Sequence, residues 1–147
     1  MRSTMKVALA ALVATAGLAA AATPVAAATT APAPRGGYIA TVQMPTTVAG
    51  EKSNSFRVQL VDREDIQAAF AVLRGESNAH VNGKIVWSKW DKNSPWGWHL
   101  DPNDVTIADR SMELCDGRPA YLEAGWWNSE RFCPWKGKVV KMERVRS

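Results

Sequence analysis

Two side chains able to move a proton, His99 and Asp101, stand two residues apart where Trp96, Trp98 and Leu100 alternate with Gly97, His99 and Asp101. On an extended strand such positions share a face, their side chains about 7 Å apart at the base. A carboxylate that orients an imidazole is what a general base requires. The same residues also have a simpler use. Asp101-Pro102 can open a turn in which the carboxylate accepts backbone N–H groups near Asn103 and Asp104, leaving His99 as a structural polar group. The turn reading is favoured. Asp104, Asp109, Glu113, Asp116 and Glu123 supply further carboxylates, yet spacing along the chain brings no two to a working distance. No Gly-x-Ser-x-Gly elbow marks a serine nucleophile. Asp101, Asn103 and Asp104 carry oxygen ligands for calcium, but Val105 interrupts the EF-hand series, and its glycine and closing glutamate are missing. The sequence therefore assigns no catalytic residue, no metal site and no cofactor.

Aromatic residues carry the stronger signal. The chain has 7 tryptophans, and four of them, at 87, 90, 96 and 98, fall in Trp87 to Asp101, WSKWDKNSPWGWHLD. Trp87, Trp96 and Trp98 are expected in the core, because a strand stripe of large apolar side chains most simply faces inward. Trp90, Trp126 and Trp127 lie in or beside loops, where a flat, stiff ring gives wide contact area at low entropic cost. Trp90, Asp91, Trp126, Trp127, His99 and Asp101 form the candidate binding set.

Export explains much of the composition. Arg2 and Lys6 precede an apolar run from Val7 to Ala22, and Val25-Ala26-Ala27-Ala28 supplies a small-residue cleavage pattern. This reads as a signal peptide over 1–28 and not as a membrane span. Loss of its two cations lowers the formal charge from +4 to +2, too little, with acids and bases interspersed, to make a nucleic-acid case. Residues 29–37 are a flexible Pro/Ala/Gly tail, and 38–147 a single globular domain, expected to be a secreted, extracellular monomer. Cys115 and Cys133 both lie in the exported part and read as one disulfide closing a loop of about 18 residues.

The elements that position these residues are short. Tyr38 to Thr47 is an expected edge strand, limited by Pro45. Phe56, Val58 and Leu60 alternate through a strand over Ser55 to Val61. A helix follows, N-capped by Asp62 with Asp65 at the capping-box position, striped by Ile66, Ala69, Phe70 and Leu73, and ended by Gly75. Strand character returns over 79–90, where Asn82-Gly83 is a turn or a bulge. Short strands are expected around Val105 and Ile107, Met112 and Leu114, Tyr121 to Ala124, and Val139 to Val145. The basic end, Lys136, Lys138, Lys141, Arg144 and Arg146, reads as a solvated edge strand, with attachment to an anionic surface as the second option. One early helix followed by many strands excludes a parallel βαβ design. The expected fold class is α+β, one N-terminal helix packed on a multi-stranded, mainly antiparallel sheet, with one disulfide.

At His80 to Val86 (HVNGKIV), Pro95 to Pro102 (PWGWHLDP), Met112 to Gly117 (MELCDG) and Phe132 to Trp135 (FCPW) the chain resembles a family of small secreted domains similar to the N-terminal domain of a seventy-four-kilodalton slime-mould binding protein. The resemblance runs from about Ser55 to about Arg144. It implies secretion, one compact domain and a Cys115–Cys133 disulfide, and it brings no catalytic residues with it. Trp87 departs from the basic residue expected there, and Trp90-Asp91-Lys92 departs from Tyr-Asn-Pro. Three functions follow as expectations. The first is a secreted, non-catalytic domain engaging an extracellular protein or carbohydrate through its loop tryptophans. The second is an enzyme inhibitor presenting the 91–95 loop, and the third a small hydrolase using His99 and Asp101.

Overall fold

A computed structural model of the chain describes residues 37–125 and 127–146. The expected leader, all but the last residue of the expected tail, and Trp126 lie outside the described residues.

The first strand, β1 (Tyr38–Gln43), buries Ala40 and Val42 between partly exposed neighbours, the alternation its sequence predicts. It pairs antiparallel with β2 (Ser55–Leu60), Tyr38 opposite Leu60, and on its other side with β7 (Lys138–Arg144), Tyr38 opposite Arg144. β1 is therefore the middle strand of a β2-β1-β7 sheet, and the expectation of an edge strand is corrected. Pro45 lies beyond Gln43, so its missing N–H costs the ladder nothing. The helix α1 (Arg63–Leu73) begins as expected, with Asp62 Oδ1 accepting the N–H groups of Glu64 at 2.7 Å and Asp65 at 3.2 Å. Asp65 does not reach back to close a capping box. Its Oδ1 accepts the Ile107 N–H at 2.7 Å, tying the helix to a distant strand, and burial pushes its carboxyl pKa up.

The second sheet is organised by β3 (His80–Val86), which pairs with β4 (His99–Leu100), β5 (Thr106–Ala108) and β6 (Arg131–Phe132) at different points of its length. Asn82-Gly83, expected as a turn or bulge, lies within that strand. Gly83 is needed for a different reason: a Cβ there would meet Leu100 and Val105 side-chain atoms at 3.0 to 3.2 Å.

One helix on one sheet is thus not the architecture. The chain is mostly β, in two antiparallel sheets, and α1 contacts β2 and β7 of the first and β5 of the second. Two expected strands are also corrected. Met112 precedes and Leu114 lies within a short 3-10 turn, Glu113–Cys115, and Tyr121 to Ala124 falls in and just after a five-residue helix, α2 (Pro119–Glu123). Pro119 supplies the fixed φ that starts a helix, and Ala120, Leu122 and Glu123 are good helix formers. The two sheets meet through Phe56, Trp98 and Phe132, whose ring centroids form a triangle with sides of 5.6, 5.3 and 5.4 Å.

The β1–β2 connection is fixed by an ion pair whose side chains are 5 % (Glu51) and 14 % (Arg118) exposed, with Arg118 Nε 2.6 Å from Glu51 Oε1 and Nη2 2.8 Å from Oε2. The hydrogen bond from Arg118 is the first cause holding the Glu51 carboxyl below its ordinary 4.5. A carboxyl depressed in the folded state stabilises that state above its unfolded pKa, and the contribution fades as pH falls through the folded value. Urea unfolding at stepped pH should therefore show the native chain's advantage over Glu51→Gln shrinking below about pH 4.5. A difference that stays constant from pH 7 to 3 would rule out this assignment.

Candidate functional site

Trp96 and Trp98 are 1 % and 0 % exposed, core residues as expected, and Trp96 Nε1 donates to the Ser55 carbonyl at 2.8 Å. Trp87, also expected in the core, is 57 % exposed. β3 ends at Val86, whose partner is His99, so Trp87 lies past the last ladder pair and has no facing strand. Trp90 is half-buried, its ring tilted over the His99 imidazole with centroids 6.2 Å apart. His99 Nδ1 donates to the Ser88 carbonyl at 2.8 Å, while Asp101 Oδ1 accepts the Asn103 N–H at 2.9 Å. Each half of the supposed base pair has a structural partner of its own, and Asp101 opens the turn that Asp101-Pro102 predicts.

The 91–95 loop starts with a 3-10 turn, Asp91–Asn93, and is rigid for an identifiable reason. Asn93 is buried, and its Oδ1 accepts the Arg57 N–H at 2.6 Å while its Nδ2 donates to the Trp98 carbonyl at 2.8 Å. Asp91 points into solvent, its side chain 94 % exposed. Trp90, Asp91 and His99 therefore share one end of the molecule beside Trp87. Trp127 belongs elsewhere: its ring packs edge-on to Phe132 at 5.7 Å, and a Cβ on Gly117 would run into it at 2.8 Å.

A second aromatic region, around the disulfide, was not singled out by the sequence. Cys115 and Cys133 are bonded and buried. The 3-10 turn before the bond leaves Met112 and Leu114 67 % and 77 % exposed, and Trp135, two residues after Cys133, is 40 % exposed. The Trp135 N–H donates to Asp116 Oδ1 at 2.9 Å, which fixes the ring's backbone to the Cys115 loop. Trp135 walls a cavity of about 440 Å³ that also takes in His80, Asp109, Arg110 and Ser111. A neighbouring hollow of about 390 Å³ shares Arg110 and Ser111 and is lined further by Met112 and Arg131.

A chain of hydrogen bonds links residues that line these cavities. Arg131 Nε donates to Asn82 Oδ1 at 2.8 Å, which orients the amide so that Nδ2 donates to Ser111 Oγ at 3.0 Å. Ser111 Oγ lies 2.7 Å from His80 Nε2. Burial, the largest cause, pushes the His80 pKa down. Ser111 Oγ is thus held between the Asn82 amide and the His80 ring. The available sequence signal was Cys115 itself. The disulfide it forms with Cys133 joins the segment of Met112 and Leu114 to that of Trp135.

The family model for the N-terminal domain of binding protein 74 matches residues 40–146. The chain belongs to the binding-protein-74 N-terminal domain family. The match takes in β1 from Ala40 onward and all of β7. Apart from Tyr38 and Ile39, its boundaries enclose the strands of both sheets, the disulfide and both aromatic regions of this chain. No curated protein and no solved structure matches. Among the described residues, no helix is long and apolar enough to cross a membrane.

Proposed function

We propose that the chain is a secreted, non-catalytic binding domain, and that it engages an extracellular protein through the disulfide-pinned face of Arg110, Met112, Leu114 and Trp135. The observation that carries this is the exposure of three large apolar side chains on two loops whose backbones a disulfide holds together. Trp, Met and Arg are the residue types enriched where protein interfaces concentrate their energy. A pinned loop also loses less freedom on binding than a free one. The loop tryptophans divide between two roles in this reading: Trp127 supports the face from the core side, through Phe132, while Trp90 lies at the other aromatic end. Surface-immobilised chain, tested against a panel of purified secreted and cell-surface proteins, should yield a partner whose affinity drops roughly tenfold or more with Trp135→Ala or Met112→Ser. Trp87→Ser should leave that affinity unchanged. A partner that ignores both face substitutions would refute the reading.

A second reading, an enzyme inhibitor presenting the Asp91 to Pro95 loop, is favoured by one feature: Asn93 locks the loop while Asp91 projects from it. Assays against secreted proteases and glycosidases decide it, and the absence of inhibition across that set would discard it.

A further inference from the structure

The basic C-terminal strand leaves a feature that the disulfide face does not use. The register of the first sheet sets Arg57 and Lys141 opposite Thr41, and Glu143 opposite Ile39. Arg57 Nη2 and Lys141 Nζ then converge on one carboxylate, at 3.4 and 3.1 Å from the Glu143 oxygens. The Asn93 bond to the Arg57 N–H carries the neighbouring Lys92 to the same place, near enough for its charge to help hold the Glu143 carboxyl below its ordinary range, behind Lys141 and Arg57. Around this cluster lies a groove of about 600 Å³ in which Arg57, Lys92, Arg144 and Arg146 face a single acid, Glu143. Glu143 orients the cations and leaves most of their charge unmatched.

We propose that this groove is a binding site for an acidic polysaccharide, a sugar chain carrying sulfate or carboxylate groups. Its cations lie along a shallow furrow, and guanidinium forks pair two-pronged with such oxyanions. The chemistry of the walls favours this occupant over other polyanions. Among the described lining residues Ile39 and Val145 are the only aliphatic side chains, so an acidic peptide finds little there to anchor on. The cations are divided between the two outer strands, Arg57 on β2 and Arg144 on β7, so a peptide added along one strand edge would not engage the whole set. Among the described lining residues there is no aromatic ring to offer single-stranded nucleic acid a surface for base stacking. The site is independent of the disulfide face, and each can fail alone.

Heparin is the probe. The native chain is expected to bind it with an affinity that falls as salt rises. Lys92→Gln with Arg144→Gln, both exposed side chains, should weaken binding at least about tenfold, and Arg57→Gln alone should act in the same direction. Lys84→Gln with Lys136→Gln removes the same charge from exposed positions outside the groove and should change it by less than about twofold. Poly-glutamate and single-stranded DNA should bind at least about tenfold more weakly than heparin, and Trp135→Ala should leave heparin binding intact. Equal losses in the two double variants, poly-glutamate or DNA binding as tightly as heparin, or loss of heparin binding with Trp135→Ala would each overturn the proposal.

Discussion

Replacing Asn93 with alanine should lower the unfolding free energy by about 3 kcal/mol, since it removes two buried hydrogen bonds and leaves both partners unpaired. The partners are the Arg57 N–H, 2.6 Å from Oδ1, and the Trp98 carbonyl, 2.8 Å from Nδ2. A domain of this size holds roughly 5–15 kcal/mol in all, so the loss is a substantial share. Asn93→Asp separates the two bonds. The new carboxylate still accepts from Arg57 but turns an oxygen toward the Trp98 carbonyl, so it too should destabilise at neutral pH. Protonating it restores a donor, and the variant should regain stability relative to the native chain on acidification. Urea unfolding at pH 7 and pH 4 measures both. Asn93→Ala within about 0.5 kcal/mol of native would show that the loop is held by something else.

The paired substitution Cys115→Ser with Cys133→Ser should cost about 3 kcal/mol, the loop-closure value for a separation of 18 residues. Substituting both avoids a stray thiol. The loss should have a second consequence, because the bond holds the loops bearing Met112, Leu114 and Trp135 together. Affinity for a partner of that face should fall in the serine variant even at temperatures where it remains folded. Heparin binding in the groove on the first sheet should persist. Denaturant curves give the first effect and binding below the melting transition gives the second. Unchanged stability would mean that the Cys133 N–H to Cys115 carbonyl bond, at 2.7 Å, and its surroundings already fix these loops.

Local patterns were legible in the sequence and global pairing was not. Phe56, Val58 and Leu60 alternate as a half-buried strand must, and Asp62 and Gly75 punctuate a helix through cap chemistry that depends on near neighbours alone. The helix stripe was displaced by tertiary contact: Val72 is buried and Leu73 is 38 % exposed. What the sequence could not convey is that β1 takes partners on both sides, one of them near the end of the chain, or that β3 takes three. Such pairings are set by which faces need covering, and no local period records them. Trp87 and Trp96 show the same limit at the site. Both are tryptophans beside strand residues, but only Trp96 has a strand carbonyl, that of Ser55, within reach of its indole. The Asp101 turn was legible because an Asp-Pro turn is local, its Oδ1 accepting the Asn103 N–H. The Trp135 face was missed because it joins residues far apart along the chain through a bond that spacing alone does not orient.

The pairing of β1 with β7 also governs when the domain can form. Tyr38 opens the first strand and Arg144 closes the last, and they are direct neighbours. A chain emerging from a ribosome or a translocation pore can pair β1 with β2 early, but the other flank of β1 stays bare until Lys138 to Arg144 arrive. The first sheet is completed last, after α1 and β3 have already emerged, and a nascent chain stalled short of Lys138 would display an open strand edge to any neighbouring polypeptide.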